Sequence, residues 1–277
     1  MNLYLAGTHS RPYVYENWDI IRGGGKMDIY LAGEHPVKNG NYATQVGHKI
    51  LESFYYAKDN QNLSKIIPHL GGFLLDSGAF SFMQGKGHTD WDTYTEQYAA
   101  YINRYGINLF FELDIDSIVG LREVERLRAK LERLTGKQPI PVWHISRGKD
   151  YFLNQMCGEY KYVALGGIAG AKKGGVQYQQ YQATFPWFIR EAHKRGVKIH
   201  GLGFTSLVGL RTYHFDSVDS TAWLYGNRAG YLYQFNPRTG EMGKRPAPPG
   251  YRLKSREAAM YNFLEWIKFQ KYAEKYL

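Results

Sequence analysis

Short runs of branched and aromatic residues recur along the chain, several of them ending in Gly or Asp. Longer amphipathic stretches separate them. The runs predict strands over Leu3–Ala6, Ile29–Ala32, Phe73–Leu75, Leu109–Leu113, Pro141–Ile145, Tyr162–Leu165, Lys198–Leu202 and Phe215–Val218. The intervening pattern predicts helices over Tyr42–Ala57, Trp91–Tyr105, Leu121–Leu134 and Tyr178–Arg195. Regular alternation of strand and helix means parallel βαβ units. That many strands over this length fits a (β/α)8 barrel, with an open doubly wound sheet as the alternative. The first two strands begin alike, NLYLAG and DIYLAG, on either side of Gly23-Gly24-Gly25. They read either as neighbours in one sheet or as an extension ahead of a second start at Met27. After Trp223 the pattern changes. A basic, aromatic-rich stretch with a PAPPG turn at Pro246–Gly250 leads into a closing amphipathic helix over Arg256–Tyr272. The expected organisation is therefore a barrel over residues 1–224 and an appendage over 225–277 packed on it.

Composition narrows the class. In 277 residues, 44% hydrophobic and 22% charged, there is ample material for a core. No apolar run approaches the roughly 18 residues that span a bilayer, and the N-terminus lacks the pattern of a secretory signal. The single thiol, Cys157, excludes an internal disulfide and any zinc site built on two or more thiolates. A soluble cytoplasmic protein is expected. Lys and Arg outnumber Asp and Glu by 35 to 25, a net charge of +10, which favours a polyanionic partner. Between Tyr225 and Arg256 stand seven Lys or Arg against one Glu. Arg228, Arg238, Lys244 and Arg245 are candidate phosphate contacts, with Tyr231, Tyr233 and Phe235 as candidate base-stacking partners.

In a parallel barrel the reactive side chains project from the C-terminal strand ends. Those ends carry Asp76, Asp114 and Asp116, His144, the Gly166-Gly167 pair, His200, and Asp216 with Asp219. Two carboxylates facing one pocket can split a displacement at a sugar carbon into two steps, one as nucleophile and one as acid–base. Asp76, Asp114, His144, His200 and Asp216 could alternatively hold a metal for hydrolysis. Against that stands the scatter of single histidines, with neither a His-x-His pair nor a His-Glu-x-x-His helix. The segment GGIAGAKKGG at Gly166–Gly175 matches no phosphate-binding P-loop.

At these residues the sequence resembles a family. FLLDSGAFSF at Phe73–Phe82 looks like the DSGGFQ-type motif of tRNA-guanine transglycosylases. YVALGGIAG at Tyr162–Gly170 is similar to that family's A-x-G-G-(L/I)-A-x-G loop, and IHGLG at Ile199–Gly203 to its L-M-G-V-G strand. LVGLRTYHFDSVDS at Leu207–Ser220 matches, without a gap, an I-L-G followed six residues on by D-x-F-D-C. The matches occur in the family's order.

The resemblance implies roles. Asp219 takes the position of the nucleophile, with Asp216 as the rival alignment, and Asp76 that of the acid–base group beside Ser77. Phe80 takes the aromatic position that stacks on the purine, and Asp114, or Asp116, the carboxylate that reads the guanine edge. Gly166, Gly167 and Ile168 form the backbone loop that contacts the base. His144 stands where the family has Gln, and His200 where it has Met. The family's four zinc ligands are absent, and its L-P-T-R continuation is replaced by Ser220-Thr221-Ala222-Trp223. Those departures resemble the compact phage-type branch that exchanges guanine in DNA for a 7-deazaguanine. The implied activity is a DNA-guanine transglycosylase that inserts 7-cyano-7-deazaguanine (preQ0) or a derivative, with the tRNA reaction as alternative. The implied partners are DNA and the free base, with neither metal nor other cofactor. Loss of the zinc motif argues against the family's dimer and leaves the oligomeric state open, a monomer included.

Overall fold

The computed structural model describes residues 27–32, 47–59, 67–78, 81–82, 89–166, 176–204, 207–246 and 255–277. Eight strands run parallel in one sheet: β1 (Asp28–Ala32), β2 (Lys49–Ser53), β3 (Gly72–Asp76), β4 (Leu109–Phe110), β5 (Val142–Trp143), β6 (Tyr162–Leu165), β7 (Lys198–Gly201) and β8 (Ser217–Ser220). The pairing follows chain order, and β8 pairs with β1, Tyr30 opposite Asp219. One parallel bridge, Phe111 to Ile140, closes the ring between β4 and β5, with Ile140 N–H donating to Phe110 O at 2.8 Å. The fold is a (β/α)8 barrel, and the open sheet is set aside.

Side chains alternate across the barrel wall as the pleat requires. Tyr30, Ala32, Leu51, Leu74, Phe111, Ile140, Val142 and Ala164 fill the interior. Ile29, Leu31, Ile50, Leu75, Phe110, Val163, Ile199 and Val218 face outward into the helical layer. Strands buried on both faces read as continuous apolar runs, and that explains the main departure from expectation. Of the segment expected to be helical over Tyr42–Ala57, the described residues contain β2, and among them only Phe54–Ala57 are helical. Its Ile50-Leu51 pair puts one side chain on each face of the sheet, and a 3.6-residue reading takes that pair for a helix stripe. The last strand lies at Ser217–Ser220 rather than Phe215–Val218, which moves Asp219 into the barrel wall. The expected helix over Tyr178–Arg195 is two, Val176–Gln182 and Phe185–Lys194, since Pro186 belongs in a first turn. The expected strand at Leu3–Ala6 falls outside the described residues.

The helices that matter for the site are α1 (Trp91–Arg104), α2 (Leu121–Thr135), α3 (Phe185–Lys194), α4 (Ala222–Ala229) and α5 (Ser255–Tyr276). On α1, Tyr98 donates from its hydroxyl to Leu75 O and Phe111 O, both at 3.1 Å, and Tyr94 to Ser77 O at 2.7 Å. Two phenols of one helix thus hold the ends of β3 and β4 in place. The appendage is a hairpin, β9 (Tyr231–Asn236) and β10 (Glu241–Pro246), which the sequence pattern did not announce. It packs on α4 and α5. Gln270 of α5 accepts from Lys49 N–H and donates to Ile29 O and Lys49 O, bridging β1 to β2 where their ladder begins. Among the described residues no helix is long and apolar enough to cross a membrane.

Candidate active site

The C-terminal ends of β3, β4, β5, β6, β7 and β8 converge on a polar mouth. Asp76 ends β3, and Gly78 N–H donates to its Oδ2 at 3.1 Å. Gly78 has φ +86°, and a Cβ there would lie 2.6 Å from that of Tyr55, so glycine is required for this turn. Ser77, fully buried, donates to Asp114 Oδ1 at 3.3 Å. Burial pushes the Asp76 carboxyl up to about 6, with the Gly78 N–H opposing and the charge of Asp219 adding to the rise. Burial likewise raises Asp114 to about 7, helped by Asp76, with His144 working against it. The three carboxylates Asp76, Asp114 and Asp219 therefore share one poorly solvated space, and protons stay on part of the set near neutrality.

Asp116 behaves oppositely. His144 Nδ1 lies 2.6 Å from its Oδ1, and the Arg147 guanidinium approaches both oxygens at 3.4 Å. Although burial pushes the carboxyl up, His144 and Arg147 outweigh it and hold Asp116 well below the usual carboxylate range. Arg147 is in turn fixed by Glu112, which it meets at 2.7 Å. Glu112 is fully buried and also takes Arg128 Nη1 at 2.9 Å and Val142 N–H at 2.8 Å. This buried group was missed in the sequence. Its signal was an arginine on an apolar stripe, since Val124, Leu127, Arg128 and Leu131 share the buried face of α2.

His144 reaches from β5 across the end of β6, its Nε2 3.8 Å from Asp114 Oδ2. A Cβ at Gly166 would fall 2.8 Å from that Nε2 and 2.6 Å from Val142 Cγ1, so the bare Gly166 backbone makes room for the imidazole. His200 is fully buried on β7, between the rings of Tyr30 and Phe111. Its Nε2 stands 3.2 Å from Asp219 Oδ1, and Gly203 N–H donates to the same oxygen at 2.6 Å.

The structure thus brings together Asp76, Ser77, Asp114, Asp116, His144, Gly166, His200 and Asp219. It removes Asp216, which precedes β8 at the opposite end of the barrel. There it meets His193 Nε2 at 2.9 Å and Ile199 N–H at 2.8 Å. The set drawn for a metal hydrolase is split by that displacement, and among the described residues no three His, Cys, Asp or Glu side chains are placed to hold a metal. Phe80, Gly167 and Ile168 lie outside the described residues. In the appendage, Arg228, Arg238, Lys244 and Arg245 are exposed. Arg238 sits in the hairpin turn, beside Gly240, which backs on Tyr272 and Arg211. Lys244 and Arg245 lie at the far end of β10, opposite Tyr233 and Leu232. The expected stacking aromatics are corrected: Tyr231, Tyr233 and Phe235 are buried, Tyr233 donating to Ala222 O at 3.0 Å and Phe235 packing on Phe269. Alternation along β9 puts all three on the buried face of the strand, with Tyr233 and Phe235 against rings of α5. Tyr225, 52% exposed, faces solvent, with Lys244 Nζ 5.7 Å from its centroid.

No protein-family model matches the sequence, and no curated protein matches it either. Solved structures similar to it include the carboxyl transferase domain of Rhizobium etli pyruvate carboxylase, with 3-hydroxypyruvate and with 3-bromopyruvate. Each is 13% identical at a TM-score of 0.46, covering 94% of this chain and 50% of theirs. Another is a candidate fructose-1,6-biphosphate aldolase from Coccidioides immitis, 11% identical at a TM-score of 0.47, covering 98% of this chain and 94% of that one. The chain thus spans half the length of the first two. The fold rests on the strand pairing above.

Proposed function

We propose that this protein is an enzyme that exchanges guanine in DNA for a 7-deazaguanine base through a covalent sugar–aspartate intermediate. The observation that carries the reading is the Asp76–Asp219 pair at one barrel mouth. One carboxyl keeps its proton toward neutral pH, partly through the charge of the other, and that other meets His200 Nε2 and the Gly203 N–H on a single oxygen. Two carboxyls so arranged divide into an acid and a nucleophile.

A target guanosine must leave the stack to reach this mouth, at about a few kcal/mol if drawn from a duplex. Asp219 attacks C1′ of the deoxyribose, forming a C–O bond as the bond to guanine breaks. The departing guanine takes its proton from Asp76. The incoming 7-cyano-7-deazaguanine returns a proton to Asp76 and attacks C1′, and Asp219 leaves. Asp114, with Ser77 and His144 beside it, is positioned for the polar edge of the base. DNA is preferred over tRNA because the resemblance is to the compact branch without zinc ligands.

Incubation with labelled guanine, DNA and tRNA in parallel tests the reading. The expected result is label in DNA only, and a DNA–protein adduct in denaturing gels that free base discharges. Label in tRNA alone would move the substrate, and label in neither would end the transglycosylase reading.

A further inference from the structure

A line of polar side chains runs from the mouth down the inside of the barrel, along β8, β7 and β6. Asp219 Oδ1 meets His200 Nε2, and His200 Nδ1 meets Ser217 Oγ. The same Ser217 oxygen meets the Tyr162 hydroxyl. All four positions face inward, where the neighbouring side chains are apolar: Tyr30, Phe111 and Ala164. His200 is fully buried and Ser217 nearly so. Buried polar groups are retained where every hydrogen-bonding position is met, and here each has a partner.

The direction of the bonds follows from two requirements, an ionised Asp219 and a single hydrogen on the His200 ring. An ionised Asp219 can only accept, so the nitrogen facing it must carry the hydrogen. With hydrogen on Nε2, the neutral ring offers Nδ1 as an acceptor. Ser217 must then donate to Nδ1, and its oxygen is left to accept from the Tyr162 hydroxyl. The reverse order would set a ring lone pair against the carboxylate. Gly203 N–H also donates to Oδ1, so both donors fall on one oxygen of Asp219. Among the described residues none donates to Oδ2.

We infer that His200, with Ser217 and Tyr162 behind it, is a positioning device that selects the attacking oxygen of Asp219. It anchors Oδ1 and leaves Oδ2, to which none of the described residues donates, as the nucleophilic atom. The inference rests on the proposed transglycosylase reading and adds to it at the position where the resembled family carries Met. An anchored Oδ1 also fixes the carboxylate plane, and orientation of that kind is a large part of what an enzyme supplies to a displacement. The device moves no net proton. Its work is to hold one tautomer and one rotamer.

Single-turnover formation of the DNA adduct tests the inference, measured beside DNA affinity and thermal melting. His200→Leu should slow adduct formation about 10²–10³-fold, as for loss of a preorganised donor, with Kd for DNA unchanged. His200→Gln, which can place an amide N–H near the same oxygen, should recover to within about tenfold of wild type. Ser217→Ala frees the tautomer and should cost about tenfold, and Tyr162→Phe less. The graded order, with loss in the chemical step rather than in affinity, supports the device. Normal adduct formation in His200→Leu, or a Ser217→Ala loss that appears in Kd, overturns it. If His200→Leu does not fold, Ser217→Ala and Tyr162→Phe decide. A second readout needs no activity: ¹⁵N NMR of the imidazoles should find the His200 hydrogen on Nε2, with Nδ1 as the acceptor. An Nδ1–H or doubly protonated ring overturns the device even if the wild-type protein exchanges no base, an outcome that would count against the transglycosylase reading alone.

Discussion

The two ends of the barrel use the same residue types to opposite effect. At the floor, every acid named above meets a cation or an N–H. Lys49 bridges Asp28 at 2.8 Å and also reaches Glu274, and Asp216 sits between His193 and Ile199 N–H. At the mouth, Asp76, Asp114 and Asp219 share hydroxyls, backbone N–H groups and one another's fields, and burial raises two of them far above the ordinary carboxylate value. Acids that hold structure are neutralised by a partner, and acids left to compete for protons mark the place where protons are moved. Asp116 refines the rule. It lies at the mouth, yet Arg147 and His144 keep it ionised, so position alone does not make a carboxyl reactive.

The two ends of the barrel differ most at Asp219. Asp219→Ala should abolish base exchange and the covalent adduct while leaving a folded protein that still binds DNA. Asp216→Ala, at the floor, should retain the adduct. The reverse pattern would return the nucleophile to the other end of the barrel. Asp76→Asn comes next. It keeps the shape and loses the transferable proton, and turnover should fall about 10²–10⁴-fold. Near-normal turnover would remove Asp76 from the chemistry.

Structural acids should register in stability instead. Glu112→Gln leaves two buried guanidiniums facing a neutral amide, and the cost should be about 3–5 kcal/mol. Asp28→Asn at the floor removes a partly exposed partner of Lys49 and should cost under about 1 kcal/mol. Urea unfolding of both variants measures the difference. Equal losses would show that the clamp behind Asp116 carries no more than a surface pair.

Much of this arrangement was legible in advance. Asp76, Asp114, Asp116, His144, His200 and Asp219 follow from reading strand ends, because a parallel barrel presents those ends at one face. What escaped was set by register and by distant partners. Placing the last strand two residues early left both Asp216 and Asp219 at its end, and only the family resemblance favoured Asp219. A one-residue slip in a strand already reverses its faces, so spacing alone could not choose between them. β2 was hidden because burial on both faces erases the alternation that marks a strand. Glu112 was passed over because its meaning depends on Arg128 and Arg147, brought to it by α2 and by the turn after β5. The tail's aromatics were read as ligand-facing since composition carries no inside or outside. Only the hairpin pairing shows that Tyr231, Tyr233 and Phe235 share the buried face of β9.

A smaller effect sharpens the account of the raised acids. Asp114 carries its proton more readily in the folded chain than in the unfolded one, so the folded state binds more protons between the ordinary Asp value near 3.8 and the raised one of about 7. Stability attributable to it is greatest below that window and falls as pH rises through it. Asp114→Asn should therefore raise Tm at pH 8, and the gain should shrink toward zero near pH 4. A gain of equal size at both values would mean that charge at this position does not govern the fold.

The smallest expected effect lies in the appendage, where the comparison is between the two ends of one hairpin. Arg238 stands in the turn, beside Gly240 and the last turns of α5, which meet the barrel floor through Gln270 and Glu274. Lys244 and Arg245 stand at the other end of β10, roughly 13 Å away at strand rise. There Lys244 lies 4.0 Å over the Tyr231 ring, beside exposed Tyr225. A DNA strand entering the mouth can meet one end and not the other. Neutralising Lys244 and Arg245 together should weaken DNA binding and lower the salt slope by up to about two phosphate equivalents. Arg238→Gln should leave the slope nearly where it was, because a cation at the floor end neutralises no phosphate of a strand bound at the mouth. Slopes measured from 50 to 200 mM salt decide between the ends. A loss confined to Arg238→Gln would put the strand across the floor, away from Asp76 and Asp219, and would count against the mouth as the place where DNA is held.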